Sequence, residues 1–219
     1  MYLCHQIILK KMKLWTIQGI AIYEQLQNNG IAYCTKPSWG DDHAFRRAYH
    51  WMAEQMRQRI GEPPVAEIEF PLWAWYQYKS AKNKKPPRSP HNISEGVSAY
   101  IEIEIPDNEV LLSDFNSWHS PLNEGPLTDW KRIFKETDRL DKAAGRLLSF
   151  DEYPLNIQND IENSWGGVFD LDTRNKDLGR THKRNRSIQA TFWALKPEYI
   201  ISVEFLERKD DVVKTIFYY

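Results

Sequence analysis

Hydrophobic residues recur at helical spacing in four stretches of the chain. The clearest is "HAFRRAYHWMAEQMRQRIG", which follows two candidate capping residues, Asp41 and Asp42, and ends at Gly61. One face of this predicted helix carries Phe45, Ala48, Tyr49, Met52, Met56 and Ile60. The other predicted helices are "IAIYEQLQNN" before Gly30, "TDWKRIFKETDRLDKAAGRLL" from Thr128, and "LNIQNDIENSW".

Alternating apolar and polar positions predict strands at both ends of the chain and in its middle. In "VSAYIEIEIP", Ala99 and three Ile residues face one way while Tyr100, Glu102 and Glu104 face the other, as in a half-exposed strand. Further strands are predicted in "KLWTIQ", "IEFPLWAWYQY", "NEVLLSD", "SIQATFWAL", "YIISVEFLER" and "VVKTIFYY". The residues after Asp114, "FNSWHSPLN", are predicted to form an aromatic, His-bearing loop. This mixture predicts an α+β fold.

The stretch "FPLWAWYQY" places two Trp, two Tyr and a Phe within residues 70–78. In an extended strand, Leu72, Ala74 and Tyr76 face one way, and Trp73 and Trp75 face the other. Both faces are therefore apolar. We expect one face to meet the core and the other to line a cleft, although aromatic side chains also commonly serve only as core.

The composition is typical of a globular protein, with 42% hydrophobic and 27% charged residues in a chain of 219. No apolar window of about 18 residues is present, and "MYLCHQIILKK" lacks the cleavage site of a signal peptide. We therefore expect a cytoplasmic protein that does not contact membranes. Cys4 and Cys34 match no disulfide or zinc pattern, so two reduced thiols and no metal are expected.

A formal net charge of −1 conceals two basic segments. Residues 79–88, "KSAKNKKPPR", contain five basic and no acidic residues. Residues 174–186, "RNKDLGRTHKRNR", contain six basic residues and one acidic residue. Such segments are commonly solvated loops, but like-signed loops on an acidic body also attract anions.

The common signatures of nucleotide-binding proteins and hydrolases are absent from the sequence. It contains no Walker A motif, no GxGxxG after a strand, no HExxH and no GxSxG. His119 is a candidate general acid or base, with a structural role as the alternative. Glu102 and Glu104 share one face of a strand and resemble paired carboxylates, but a solvated strand face also explains them.

Several longer stretches resemble an uncharacterised bacterial family whose members typically start near "MKLWTIQ". The stretches are "MKLWTIQ" from Met12, "YHWMAEQM", "PLWAWYQY", "EIEIPDNEVLLSDFNSWHSPLN" and "IQATFWAL". The resemblance spans residues 12 to about 205 and implies no settled activity. It predicts that residues 1–11 are an N-terminal extension and that residues 12–219 form a single domain.

The order of the elements also resembles, more distantly, the ADP-ribosyltransferase fold, and within it the branch that modifies DNA and RNA. This resemblance implies two small antiparallel sheets, flanked by helices, that hold NAD as a substrate in a cleft between them. In that fold a residue on the first strand, an aromatic residue after the second and a Glu on a late strand contact NAD. Trp15 or Thr16, Trp75 or Tyr76, and Gln189 occupy these positions here.

The residues implied for the NAD cleft are Trp15, Thr16, Gln18, Trp73, Trp75 and Tyr76. Gln189 departs from the family pattern because it brings no negative charge to the cation that develops when the nicotinamide–ribose bond breaks. Another acid would then have to serve. The candidate catalytic residues are therefore Gln189, Glu102, Glu104, Asp114 and His119, with Glu204 as a further acid.

In the ADP-ribosyltransferase fold the loop before the late strand contacts the target, and here that loop is rich in Arg and Lys. The implied function is NAD-dependent modification of a nucleic acid, as in a toxin or phage-defence effector. The implied nucleic-acid contacts are Lys82, Lys84, Lys85, Arg180, Lys183, Arg184 and Arg186. Two alternatives stay open: a non-catalytic module that binds nucleotides or nucleic acids, and an interaction protein whose aromatic residues only pack.

Overall fold

The computed structural model describes residues 10–34, 42–82, 84–173 and 182–218. Within these ranges the chain forms five α-helices: α1 (Ile20–Asn29), α2 (His43–Ile60), α3 (Phe115–Leu122), α4 (Trp130–Ala144) and α5 (Leu155–Ser164). The strands are β1 (Lys11–Gly19), β2 (Leu72–Gln77), β3 (Gly96–Pro106), β4 (Leu111–Asp114), β5 (Ile188–Phe192), β6 (Ile200–Lys209) and β7 (Val212–Ile216). The predicted α+β composition is confirmed.

All seven strands belong to one antiparallel sheet with the order β4-β5-β2-β1-β3-β6-β7. The prediction of two separate sheets is therefore wrong. At the centre of the sheet β1 pairs with β2 through one directly opposed pair, Trp15 of β1 and Trp75 of β2. The Thr16 hydroxyl supports this junction by donating a 2.7 Å hydrogen bond to the Trp73 carbonyl. By contrast, β1 pairs with β3 along its whole length, so the junction with β2 is the narrow part of the sheet.

The helix boundaries follow the local signals in the sequence. Helix α1 ends at Gly30, which adopts a left-handed conformation with φ of 68° and donates its N–H to the Leu26 carbonyl. Helix α2 begins after Asp42, whose carboxylate accepts a 3.1 Å hydrogen bond from the Phe45 N–H. Both predicted boundaries are confirmed.

The segment after Asp114 is a helix, so its prediction as a loop is wrong. The Asp114 carboxylate caps α3 by accepting a 2.8 Å hydrogen bond from the Ser117 N–H. The helix is only 8 residues long and contains Pro121 in its last turn, where the proline has no N–H to donate to the carbonyl four residues earlier. Trp118 is buried on its inner side.

The two faces of the sheet pack against different parts of the chain. The face that carries Leu14, Ala74 and Ile101 packs against Leu26 of α1, and we call it the α1 face. On the opposite face, Trp73 packs into a second core formed with α2 and α3, and Trp15 packs with Tyr100. Because partners directly opposite each other share a face, this second face also carries Trp75 and Gln189. We call it the aromatic face.

In the described part of the chain, no helix is both long and apolar enough to cross a bilayer.

Candidate functional site

A continuous row of side chains crosses the aromatic face of the sheet. From β4 to β3 the directly opposed residues are Ser113, Gln189, Trp75, Trp15 and Glu102. Opposed residues in an antiparallel ladder have their Cβ atoms about 5 Å apart, so each side chain lies beside the next. The row brings together Trp15, Trp75 and Gln189, one candidate for each of the three positions that the distant resemblance implies for NAD.

Aromatic rings surround the middle of this row. The Trp75 ring lies 5.0 Å from that of Tyr78 and 5.1 Å from that of Phe115. His119 follows at 4.9 Å from Phe115, and its Nδ1 lies 3.0 Å from the Phe115 carbonyl oxygen. The ladder between β2 and β5 shifts register between Trp75 and Gln77, and such bulges are frequent beside active sites.

An open cavity of about 610 Å³ adjoins the row at Trp15. Its lining residues are Trp15, Tyr78, Lys79, Ala81, Lys82, Lys84, Lys85 and Pro87. Its volume falls within the range of roughly 300–1,000 Å³ typical of small-molecule sites. The cavity combines flat aromatic walls with lysines, which suits a ligand that has both a ring and a negative charge.

Glu102 supplies a carboxylate beside this cavity. It accepts a 2.8 Å hydrogen bond from the Lys13 ammonium and a 3.2 Å hydrogen bond from the Trp15 indole Nε1–H. The hydrogen bond from Lys13 is the main reason that the pKa of Glu102 is lowered, and the charge of Lys85 contributes. Glu102 is therefore ionised at neutral pH.

A second carboxylate, Glu204, lies opposite Tyr100 on the neighbouring strand. It pairs with Arg88 and lies 3.8 Å from the Lys85 ammonium, so it anchors the basic loop to the sheet. The Tyr100 hydroxyl adds a 2.6 Å hydrogen bond to the Pro86 carbonyl, and burial raises the pKa of Tyr100. The carboxylate of Glu204 is thus engaged in holding the loop.

The other two candidate acids lie in different settings. Glu104 lies opposite Lys13, two residues from Glu102 on the same face. Asp114 is buried, caps α3, and forms an ion pair with Arg186 across 3.8 Å. Among the four acids, Glu102 alone lies in the row.

Three residues expected in the NAD cleft lie on the α1 face instead. Thr16 and Gln18 pair with Ile101 and Ala99 of that core, and Gln18 donates a 2.6 Å hydrogen bond to Thr16. Tyr76 packs against the same core. Of the alternatives that the sequence left open, Trp15 and Trp75 are thus the pair that the sheet places side by side.

Three buried polar atoms near Gln189 have no hydrogen-bond partner among the described residues. They are Gln189 Oε1, Ser113 Oγ and Trp73 Nε1. Ser113 lies directly opposite Gln189, and Trp73 packs at 5.2 Å from Trp118. The Trp73 ring therefore packs in the core while its indole N–H donates no hydrogen bond to the described residues. Buried polar groups without partners are uncommon, so these three atoms indicate a place where a ligand or water binds.

The two basic segments lie next to each other. The Ala81 N–H donates to the Arg184 carbonyl at 2.7 Å, and the Gln77 amide donates to the Lys183 carbonyl at 2.8 Å. These contacts bring the lysines of the cavity together with Lys183 and Arg184 in one basic surface, in which the Lys183 ammonium also pairs with Asp172 at 3.1 Å. The sequence could not show this adjacency.

Arg186, also expected to contact nucleic acid, is only 3% exposed. Its guanidinium donates to the carbonyls of Asp170 and Thr173 and pairs with Asp114. Arg186 is therefore a buried structural residue and does not lie on the surface. Arg180 lies outside the described residues.

Sequence inspection missed Ser113, Phe115, Tyr78 and Lys79 as neighbours of the site. Ser113 and Phe115 could have been found only from the pairing of β4 with β5, which places them beside Gln189 and Trp75. No group of three or more His, Cys, Asp or Glu side chains in the described ranges is arranged to hold a metal ion.

A family model described as a domain of unknown function, DUF3841, matches residues 13–201. Neither a curated protein nor a solved structure matches the chain.

Proposed function

The chain belongs to the DUF3841 family, and we propose that it binds NAD in the cavity beside Trp15 and transfers ADP-ribose to a nucleic acid. The main support is the register of the sheet, in which Trp15, Trp75 and Gln189 lie side by side on three adjacent strands. These are the positions at which the ADP-ribosyltransferase fold, as the sequence resemblance implies, contacts NAD.

The reaction breaks the bond between the nicotinamide nitrogen and C1′ of the ribose. Nicotinamide leaves as a neutral molecule with the bonding electron pair, and positive charge develops on the ribose. A nitrogen or oxygen of the acceptor then bonds to C1′ and loses its proton to a base. Stabilising the positive charge requires a carboxylate nearby.

Glu102 is our candidate for this carboxylate. It is ionised because Lys13 and Trp15 donate hydrogen bonds to it, and it lies in the same row as Trp15. Gln189 would orient a ribose hydroxyl through its amide, since its Oε1 has no partner among the described residues. His119 lies near Phe115 and is exposed, so it is placed to accept the proton of an incoming acceptor.

A nucleic-acid acceptor is supported by the basic surface next to the cavity. Lys183 and Arg184 lie just before β5, the strand that carries Gln189. Arg and Lys side chains contact phosphates, and Arg also stacks on bases. An acceptor bound there would reach the cavity from the side of Tyr78 and Lys79.

A non-catalytic module that binds NAD or another nucleotide is the second candidate function. It is favoured by Gln189, which lacks the charge expected at that position. In this case the row would bind the ligand, and Glu102 would only orient Trp15.

Incubation of the protein with NAD labelled in its adenylate part, together with separate pools of DNA, RNA and protein, distinguishes the two functions. We expect label in a nucleic-acid pool and less label with Glu102→Gln. Glu207→Gln is the matched control because Glu207 is an exposed acid on β6 whose side chain faces away from Leu206. Intact NAD and unlabelled pools, with calorimetry still detecting NAD binding, would favour the binding module.

A further inference from the structure

We propose that Lys79, Lys82 and Lys84 form a binding site for the diphosphate of a nucleotide, and that they are not additional contacts to a nucleic-acid strand. This inference rests on the proposed function in one respect, namely that NAD is the nucleotide expected there. All three lysines line the cavity of about 610 Å³ that adjoins the aromatic row.

The charges of these lysines are not neutralised by nearby acids. Of the four lysines in the cavity, Lys85 has an ion pair, with Glu204 at 3.8 Å. The described residues contain no carboxylate within ion-pair distance of Lys79, Lys82 or Lys84. Their mutual repulsion falls when an anion binds among them, so the cavity favours a ligand with two or more negative charges.

The aromatic rings hold two of the three ammonium groups in place. The Lys79 ammonium lies 5.4 Å from the centre of the Tyr78 ring, and the Lys84 ammonium lies 5.3 Å from that of Tyr76. Cation–π contacts of this kind restrict the side chains without neutralising their charge. Both ammonium groups therefore keep their charge, and both lysines line the cavity.

The backbone of the loop is fixed at several points. The Lys79 N–H donates to the Ser187 hydroxyl at 3.0 Å, and the Tyr78 N–H donates to the Lys84 carbonyl at 3.2 Å. Lys79 itself has a φ of 61°, a left-handed conformation that is uncommon for a residue other than Gly. A loop arranged before binding loses less entropy when the ligand arrives.

The aromatic wall of the same cavity selects a nucleotide over a simple polyphosphate. The Trp15 indole is held by its hydrogen bond to Glu102, and Tyr78 is held edge-on against Trp75. A fixed ring beside a cluster of unneutralised lysines suits a base or nicotinamide ring that is joined to phosphates. The concave shape suits a small molecule, whereas the exposed Arg184 outside the cavity is available to a strand.

Calorimetry with ADP and adenosine tests the site on the full chain, because these ligands differ only in the diphosphate. The double variant Lys82→Ala/Lys84→Ala should weaken ADP binding by about tenfold or more and leave adenosine binding unchanged. The matched control is Lys135→Ala/Lys142→Ala, which removes the same charge from exposed positions on α4. This control should bind ADP as the parent does.

Three results would overturn the proposal. They are an equal ADP affinity in the parent and the cavity variant, no binding of millimolar ADP to the parent, and an equal loss of ADP affinity in the control variant. Loss of oligonucleotide binding with unchanged ADP binding would assign the lysines to a strand and would also overturn it. The proposed function is tested separately. Lysine-dependent ADP binding without any transfer from NAD would support the diphosphate site and contradict the proposed transferase activity.

Discussion

An amide at position 189 can orient a ribose hydroxyl but cannot balance a developing positive charge. Replacing it with a carboxylate of nearly equal volume, Gln189→Glu, therefore tests the chemistry directly. If the parent only binds NAD, we expect Gln189→Glu to gain hydrolysis of NAD or transfer from it. If the parent is already active, Gln189→Ala should lose much of that activity. The measurement is release of nicotinamide from NAD.

NAD binding by the same variants gives the control. Trp75→Ala should weaken binding, since it removes a stacking face with a contribution on the order of 1 kcal/mol. Gln189→Glu should bind NAD about as well as the parent does. No binding of millimolar NAD to the parent, together with no product from any variant, would leave only a structural role for Gln189 and the aromatic row.

Arg186 and Arg184 are two residues apart, yet the structure predicts effects of very different size for their substitution on stability. Arg186→Ala would leave the buried carboxylate of Asp114 without its cationic partner, a change that typically costs about 3–5 kcal/mol. Arg184 is exposed, so Arg184→Ala should change the free energy of unfolding by less than about 0.5 kcal/mol. Urea denaturation measures both. Equal midpoints for the two variants would contradict the buried ion pair.

The sequence could locate the basic segments but not the different roles of their residues. Arg186 and Arg184 occur in the same "KRNR" run and have no local feature that separates them. What separates them is Asp114, which lies more than 70 positions earlier and is brought close when β4 pairs with β5. Long-range pairing of this kind decides burial, and a single sequence does not record it.

At the scale of elements, the helices and strands with long, regular patterns were predicted well. Helix α2 and strand β3 are examples, since each has enough residues for its period to be unambiguous. Helix α3 was missed because it spans only two turns and contains both His119 and Pro121. The cap at Asp114 was its one local signal, and a cap also fits a turn.

The sequence resemblance predicted two separate sheets, whereas the seven strands form one sheet. Local sequence determines which residues form strands, but the junction between β1 and β2 depends on one opposed pair, Trp15 and Trp75. Nothing near either residue in the sequence indicates that pairing. The same pair lies at the centre of the candidate site. The pairing that joins the strands into one sheet therefore also brings the residues of the site together.

The junction after α4 gives a prediction about pH. The turn at residues 149–152 is closed by a capping box in which Glu152 accepts hydrogen bonds from Ser149, and Arg146 donates to the same carboxylate. The bonds from Arg146 and Ser149 lower the pKa of Glu152 from its ordinary value near 4.5 to about 2. A carboxylate whose folded pKa is lowered adds stability above its unfolded pKa, and this contribution disappears as the pH falls towards 2.

NMR titration of the side-chain carboxyl carbon of Glu152 measures this shift. We expect a midpoint well below 4.5 in the parent and an upward shift towards 4.5 in Arg146→Ala. Arg139→Ala is the control, because Arg139 pairs with Glu136 at a different position on α4. A midpoint near 4.5 in the parent would show that the box is not closed in solution.

For the molecule as a whole, the pairing of β1 predicts where the folded domain begins. Met12 to Gly19 pair with β3 at the centre of the sheet. Of the described residues before Met12, Lys11 lies opposite Pro106 and the Lys10 carbonyl accepts one backbone hydrogen bond from the Asp107 N–H at 2.9 Å. A chain beginning at Met12 should therefore melt within a few degrees of the full chain, since a single hydrogen bond contributes only about 1 kcal/mol. Calorimetry measures the midpoint, and a much larger fall would place residues 1–11 within the folded domain.

The charge distribution of the whole molecule leads to a prediction about salt. If Lys183 and Arg184 contact phosphates, the double variant Lys183→Ala/Arg184→Ala should bind an oligonucleotide more weakly. Each lost contact should reduce the slope of log affinity against log salt by about 0.7 to 0.9, because fewer counterions are released. Fluorescence anisotropy at several salt concentrations measures the slope. Lys135→Ala/Lys142→Ala changes the net charge equally on α4 and should keep a slope close to that of the parent, because side chains that do not contact phosphates release no counterions. An equal slope in the parent and in Lys183→Ala/Arg184→Ala would mean that this part of the basic surface does not bind nucleic acid.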